Sequence, residues 1–176
     1  VLRRKKREVE IRQPLTFGAY YGALAALDLV DEAATPEEVA AMEPDRLMRF
    51  LRVVLLPPSE GGYLPDSFTP GSLRLTSALA WATFRALATR AQVTAEERAQ
   101  VILTAAFGEG ATDKKKGEPT PLEDALAKMT YTEWAAARSL PLWEVLTIAR
   151  CASLSSRIEK FMGGGPGDKS EIPPEE

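Results

Sequence analysis

The chain has 176 residues, a length typical of one domain. Hydrophobic residues make up 45% and charged residues 27%, so the chain can bury a core and stay soluble. The formal net charge of -3 gives no overall bias toward nucleic acid. No apolar run approaches the roughly 20 residues that span a bilayer. We therefore expect a cytoplasmic protein that does not bind membranes.

The residue types that are missing narrow the function further. The chain has no His, which excludes His-based triads, His general bases and almost every common zinc site. Its single Cys, Cys151, allows no internal disulfide, and we predict a buried structural thiol. We expect no cofactor, no metal site and no enzymatic activity. The absence of Asn is typical of a thermophile or of a GC-rich genome.

Helix-start signals are frequent. Four Thr-x-x-Glu capping boxes each precede an apolar periodic segment, at Thr35, Thr94, Thr120 and Thr130. Pro36 adds to one of these signals because proline is favoured at the first helical position. With abundant Ala, Leu and Glu, the pattern predicts an all-α fold, a compact bundle of about six to eight helices with a short N-terminal β-strand and a disordered C-terminal tail.

The helices follow from apolar spacing in chain order. They are predicted at about 16–31, from Thr35, at 44–56, 72–91 and 95–107, after Thr120, after Thr130, and at 141–161. The expected core-facing residues are Tyr20, Ala23, Leu24 and Leu27 in the first helix, Leu47, Phe50, Leu51 and Val54 in the third, Leu75, Leu79, Ala82, Phe84 and Leu87 in the fourth, and Val101, Ile102, Ala105 and Ala106 in the fifth.

The domain organisation follows from composition. Residues 14–162 are predicted to form one helical domain. Within it, residues 57–71 are rich in Pro and Gly and residues 108–119 are Gly-rich and charged, so both are expected to be flexible loops. Residues 163–176 cannot bury a core and are predicted to be disordered.

The first 13 residues differ from the rest. They begin with a basic arm made of Arg3, Arg4, Lys5, Lys6 and Arg7. Val9 and Ile11 then alternate with charged residues, which predicts a short strand over residues 8–12. A lone strand has unpaired backbone groups, so we expect Val9 and Ile11 to pair with a client or with another copy.

Two interpretations of the basic arm remain open. It could bind nucleic acid electrostatically, or it could be a solvated end that docks on an acidic protein. No predicted helix combines basic and aromatic residues into a face that would read nucleic acid, so the second interpretation is favoured.

Three aromatic residues cluster near the start of the last helix, in the segment TYTEWAAARSLPLWEV. Tyr131, Trp134 and Trp143 are candidates for binding a protein partner, because such rings are enriched at interfaces. The alternative is ordinary core filling between two helices, and the two interpretations can hold for different rings.

Several segments resemble tail assembly chaperones of long-tailed bacteriophages. Residues 9–18 (VEIRQPLTFG) resemble the opening of these proteins, and residues 35–47 (TPEEVAAMEPDRL) with the helix continuation 48–56 resemble their next segment. Residues 129–150 (MTYTEWAAARSLPLWEVLTIAR) are similar to a later stretch found in some of them.

The resemblance implies a specific function. Such chaperones are small helical proteins without enzymatic activity that bind the tape measure protein and recruit tail tube subunits in the host cell. Some are made in two lengths by ribosomal frameshifting, for which the codons of Gly163–Gly165 are a suitable place; the alternative is a flexible linker. Two other functions remain open: a structural virion component such as an adaptor or connector subunit, and a helical nucleic-acid-binding protein that uses the basic arm.

Overall fold

A computed structural model describes residues 11–55, 68–107 and 130–163. These residues form six α-helices: α1 (Phe17–Leu27), α2 (Pro36–Ala40), α3 (Pro44–Val54), α4 (Pro70–Phe107), α5 (Tyr131–Ala137) and α6 (Leu142–Gly163). The all-α prediction is confirmed. The basic arm, Val9, the predicted helix after Thr120 and residues 164–176 lie outside the described part. The domain boundaries stay a prediction.

Two of the predicted capping boxes form as expected. The Glu38 amide donates to Thr35 Oγ1 at 3.2 Å, and the Thr35 amide donates to Glu38 Oε2 at 2.7 Å. The same reciprocal pair joins Thr130 and Glu133 at the start of α5. Hydrogen bonds from the Thr130 amide and hydroxyl lower the pKa of the Glu133 carboxyl. Each box satisfies two amides that have no carbonyl partner inside the helix.

The predicted helix start at Thr94 is wrong. Thr94 lies inside α4, which is 38 residues long and includes both the fourth and the fifth predicted helices. No Gly or Pro lies between residues 72 and 107 to end the first of them. In the interior of a helix the amides already bond to carbonyls one turn earlier, so a capping box has nothing to satisfy.

The ends of two helices also differ from their predicted positions. The α4 helix begins at Pro70, because the Thr69 hydroxyl accepts a hydrogen bond from the Ser72 amide and caps it. The α1 helix ends at Leu27 rather than near residue 31. Asp28 follows in the left-handed region, with φ of 55°, and the Leu29 amide closes the turn on the Leu24 carbonyl.

The core lies between α1, α3 and the first half of α4. The apolar faces predicted for α1 and α3 are confirmed, since all eight of their named residues are buried. The centre of the core is an aromatic cluster with ring centroids 5.2–6.2 Å apart, formed by Tyr20, Phe50, Trp81 and Phe84. The Trp81 indole donates to the Ala34 carbonyl at 2.7 Å, which fixes the loop before α2 onto α4.

The predicted N-terminal strand is not formed by the described residues. Ile11 makes only an isolated antiparallel bridge to Leu55, and the Arg12 amide donates to the Val54 carbonyl at 3.0 Å. The partner of this bridge is the end of α3. A longer ladder does not follow because the carbonyls just before Val54 belong to the helix.

The second half of α4 packs against α6. Its inward face consists of the small residues Ala91, Ala95 and Ala99, followed by Leu103, all of them buried. Small side chains let two helices approach closely. Within the described ranges no helix combines the length and the apolarity needed to cross a membrane.

Candidate protein-binding surface

Two segments that are distant in sequence meet at the start of α1. The Leu142 amide donates to the Leu15 carbonyl at 2.8 Å, the Phe17 amide donates to the Leu140 carbonyl at 3.0 Å, and the Gly18 amide donates to the Arg138 carbonyl at 3.0 Å. We call this contact between residues 15–18 and 138–142 the junction. It attaches the loop between α5 and α6 to the first turn of α1.

Gly18 permits the close approach at the junction. A Cβ at Gly18 would lie 2.9 Å from the Arg138 carbonyl oxygen and 3.3 Å from the Arg138 Cβ. Real Cβ atoms do not approach a backbone oxygen so closely, so a side chain at this position would separate the two segments.

The predicted partner-binding residues are not brought together on one exposed surface. Val9 lies outside the described residues, as does the basic arm. Ile11 is 7% exposed and packs in the core, where the chain's own Leu55 supplies the backbone partner that we expected from another molecule. Tyr131 and Trp134 belong to α5. Their role in partner binding stays a prediction.

Trp143 is half-buried between α4 and α6. The Arg98 guanidinium lies over its ring, 4.2 Å from the centroid, in a cation–π contact. A second polar contact joins the same two helices, because Arg150 forms an ion pair with Glu96 at 2.7 Å. The described contacts of Trp143 therefore support its role in holding α6 onto α4.

The largest apolar feature that remains exposed lies on α4. Six residues follow one another at alternating intervals of four and three on the side of the helix opposite the aromatic cluster. All six are exposed, and Leu75, Leu79 and Val93 are 64%, 58% and 52% exposed. We call this set the outer stripe: Leu75, Leu79, Ala82, Ala86, Thr89 and Val93.

The sequence-based assignment of the α4 face is therefore wrong. Leu75, Leu79 and Ala82 were expected to face the core, but they face outward. The inward residues include Leu73, Ser77, Ala80, Trp81, Phe84 and Ala88. Val101, Ile102, Ala105 and Ala106, the expected core residues of the second half, are exposed as well. The four-three spacing over residues 75–93 was the signal of a second apolar face.

Most titratable groups of the described residues do not form a reactive site. Tyr20 is buried beside Glu32; burial first, then the hydrogen bond and the negative charge of Glu32, raise the pKa of the Tyr20 hydroxyl far above its usual range. Cys151 is half-buried, and its burial raises the pKa of the thiol. Among the described residues no group of three acidic or sulfur side chains is placed to hold a metal ion.

Comparison with protein-family models, with curated proteins and with solved structures finds no match to this chain.

Proposed function

We propose that this chain is a non-enzymatic tail assembly chaperone of a long-tailed bacteriophage, which binds the tape measure protein and recruits tail tube subunits. The junction is the observation that supports the proposal best. The chain segments that it joins, residues 15–18 and 138–142, belong to two of the stretches that resemble these chaperones. Chance matches more than 100 residues apart need not be in contact, whereas parts of one structural unit are expected to be.

The exposed surface is compatible with protein binding. Contiguous apolar residues on the surface of a folded protein mark an interaction site. Here the outer stripe extends along α4 from Leu75 to Val93, a distance of about 27 Å at 1.5 Å per residue. A protein that works by binding other proteins needs at least one such surface.

Co-expression with the tape measure protein encoded beside this chain tests the proposal. A chaperone should keep the tape measure protein soluble and should co-purify with it, and it should be nearly absent from purified virions by mass spectrometry. The matched control is co-expression with an unrelated coiled-coil protein of similar length, which should gain no solubility.

Each other outcome points to one of the alternative functions. Recovery of the chain from virions in stoichiometric amounts would identify a structural component and contradict the proposal. Salt-dependent retention on DNA that is lost when residues 1–7 are deleted, without any effect on the tape measure protein, would instead identify a nucleic-acid-binding protein.

A further inference from the structure

We propose that the outer stripe is the interface of a homodimer, in which α4 of a second copy lies antiparallel along α4 of the first. This proposal does not depend on the proposed function, because it concerns the chain alone. It predicts a two-fold axis that passes close to residue 84, midway between Leu75 and Val93.

The spacing of the stripe is self-complementary. Its intervals are four, three, four, three and four residues, so the stripe reads the same in both directions along the helix. Such spacing keeps one seam of a helix against a partner helix in a coiled coil. Because the order is symmetric about residue 84, two antiparallel copies align every member of the stripe with a member of the other.

The sizes of the side chains match in the same alignment. The antiparallel pairs are Leu75 with Val93, Leu79 with Thr89, and Ala82 with Ala86. Large residues thus meet at the two ends of the stripe and small residues meet at its centre. Small residues at the centre let the two helices approach closely where they cross, and larger residues fill the space where they diverge.

Charges beside the stripe favour the antiparallel orientation. In a parallel pair, the positions that flank the seam would place Arg85 of one copy beside Arg90 of the other, which repel each other. In the antiparallel pair, Arg74 of one copy lies level with Glu96 of the other, on the same side of the seam. Arg85 lies near the two-fold axis, where its guanidinium donates to the Ala34 carbonyl of its own chain at 3.3 Å.

A single substitution in the stripe tests the dimer by light scattering and analytical ultracentrifugation of the full chain. The unchanged protein should be a dimer. Leu79→Glu should raise the dimer dissociation constant at least about ten-fold, because two carboxylates would be buried in the seam. The matched control is Ile148→Glu on α6, whose side chain is also 58% exposed but lies outside the stripe. It should leave the dimer intact.

Cysteine pairs test the orientation. Leu75→Cys and Val93→Cys are each made with Cys151→Ser and are oxidised separately and as a mixture. In the antiparallel dimer only the mixture should form a disulfide, because two copies of residue 75 lie about 27 Å apart, far beyond disulfide reach. Circular dichroism checks that each variant keeps its helix content.

Three results would overturn the proposal. These are a monomer at the highest soluble concentration of the unchanged chain, a dimer that survives Leu79→Glu, and cross-linking of Leu75→Cys with itself. A monomer that binds a client helix through the stripe would assign the surface to the client instead. None of these results bears on whether the chain is a chaperone, which the co-expression test decides separately.

Discussion

The Gly18 amide donates to the Arg138 carbonyl oxygen at 3.0 Å, and a Cβ on Gly18 would lie 2.9 Å from that same oxygen. The hydrogen bond and the missing side chain are thus two parts of one requirement. The start of α1 contacts the loop before α6 closely enough to bond only because the second helical residue is glycine.

Gly18→Ala should therefore destabilise the protein by about 1–3 kcal/mol, because the new methyl group separates backbones rather than displacing a flexible side chain. Urea unfolding followed by circular dichroism measures the change. Gly71→Ala is the matched control: Gly71 is the second residue of α4 as Gly18 is of α1, and its added Cβ would meet nothing within 4 Å. It should be neutral or slightly stabilising, and an equal loss in both variants would contradict the explanation.

The difference between a real and an apparent capping box can be measured. Thr35→Ala should lower the free energy of unfolding by about 1 kcal/mol, because it removes the acceptor of the Glu38 amide. Thr94→Ala should cost nothing and should stabilise the protein by a few tenths of a kcal/mol, because alanine is a better residue in the interior of a helix. A loss of about 1 kcal/mol in Thr94→Ala would indicate that α4 breaks near this residue.

Tyr20 should make the protein less stable at high pH. Its pKa is raised in the folded state, so above pH of about 10 the unfolded chain loses this proton first and is favoured. The contribution of Tyr20 is complete below the unfolded pKa. It then declines by about 1.4 kcal/mol per pH unit as the pH rises toward the folded pKa.

Urea unfolding at several pH values between 8 and about 11 tests this, with Tyr20→Phe for comparison. The difference between the two proteins isolates Tyr20, because the other titrating groups are common to both. The variant should lose less stability than the unchanged protein as the pH rises. Parallel curves would show that the Tyr20 hydroxyl titrates normally.

The attachment of α6 to α4 should depend on packing more than on charge. Ala99 is 1% exposed on the inward face of α4, so Ala99→Leu should cost about 1–3 kcal/mol by separating the helices. Arg150→Ala removes an ion pair whose Glu96 side chain is 62% exposed, and such pairs contribute about 0–1 kcal/mol. Urea unfolding compares the two. A larger loss in Arg150→Ala would reverse this interpretation.

The sequence predicted some faces and not others for a physical reason. In α3 the apolar residues Leu47, Phe50, Leu51 and Val54 stand on one side and Arg49 and Arg52 on the other, so only one face can be buried. In α4 both faces are apolar over residues 73–93. Side-chain size then suggested Leu75 and Leu79, but the aromatic rings of Trp81 and Phe84 face the core and turn the leucines outward.

The junction illustrates a different limit. Thr16 and Pro141 form a bridge although 125 residues of sequence separate them, and local propensity carries no information on such a pairing. The predicted strand at residues 8–12 failed for a related reason. Alternation at Val9 and Ile11 indicates extended backbone, but the length of a ladder depends on what the opposite segment offers, and here that segment is the end of a helix.

The uninterrupted course of α4 has a mechanical consequence. At 1.5 Å per residue its 38 residues extend about 57 Å. One end is anchored in the aromatic rings and the other carries α6, with no hinge between them. A force applied to α6 therefore reaches Trp81 through a stiff rod, and anything attached to the two ends is kept at a fixed spacing.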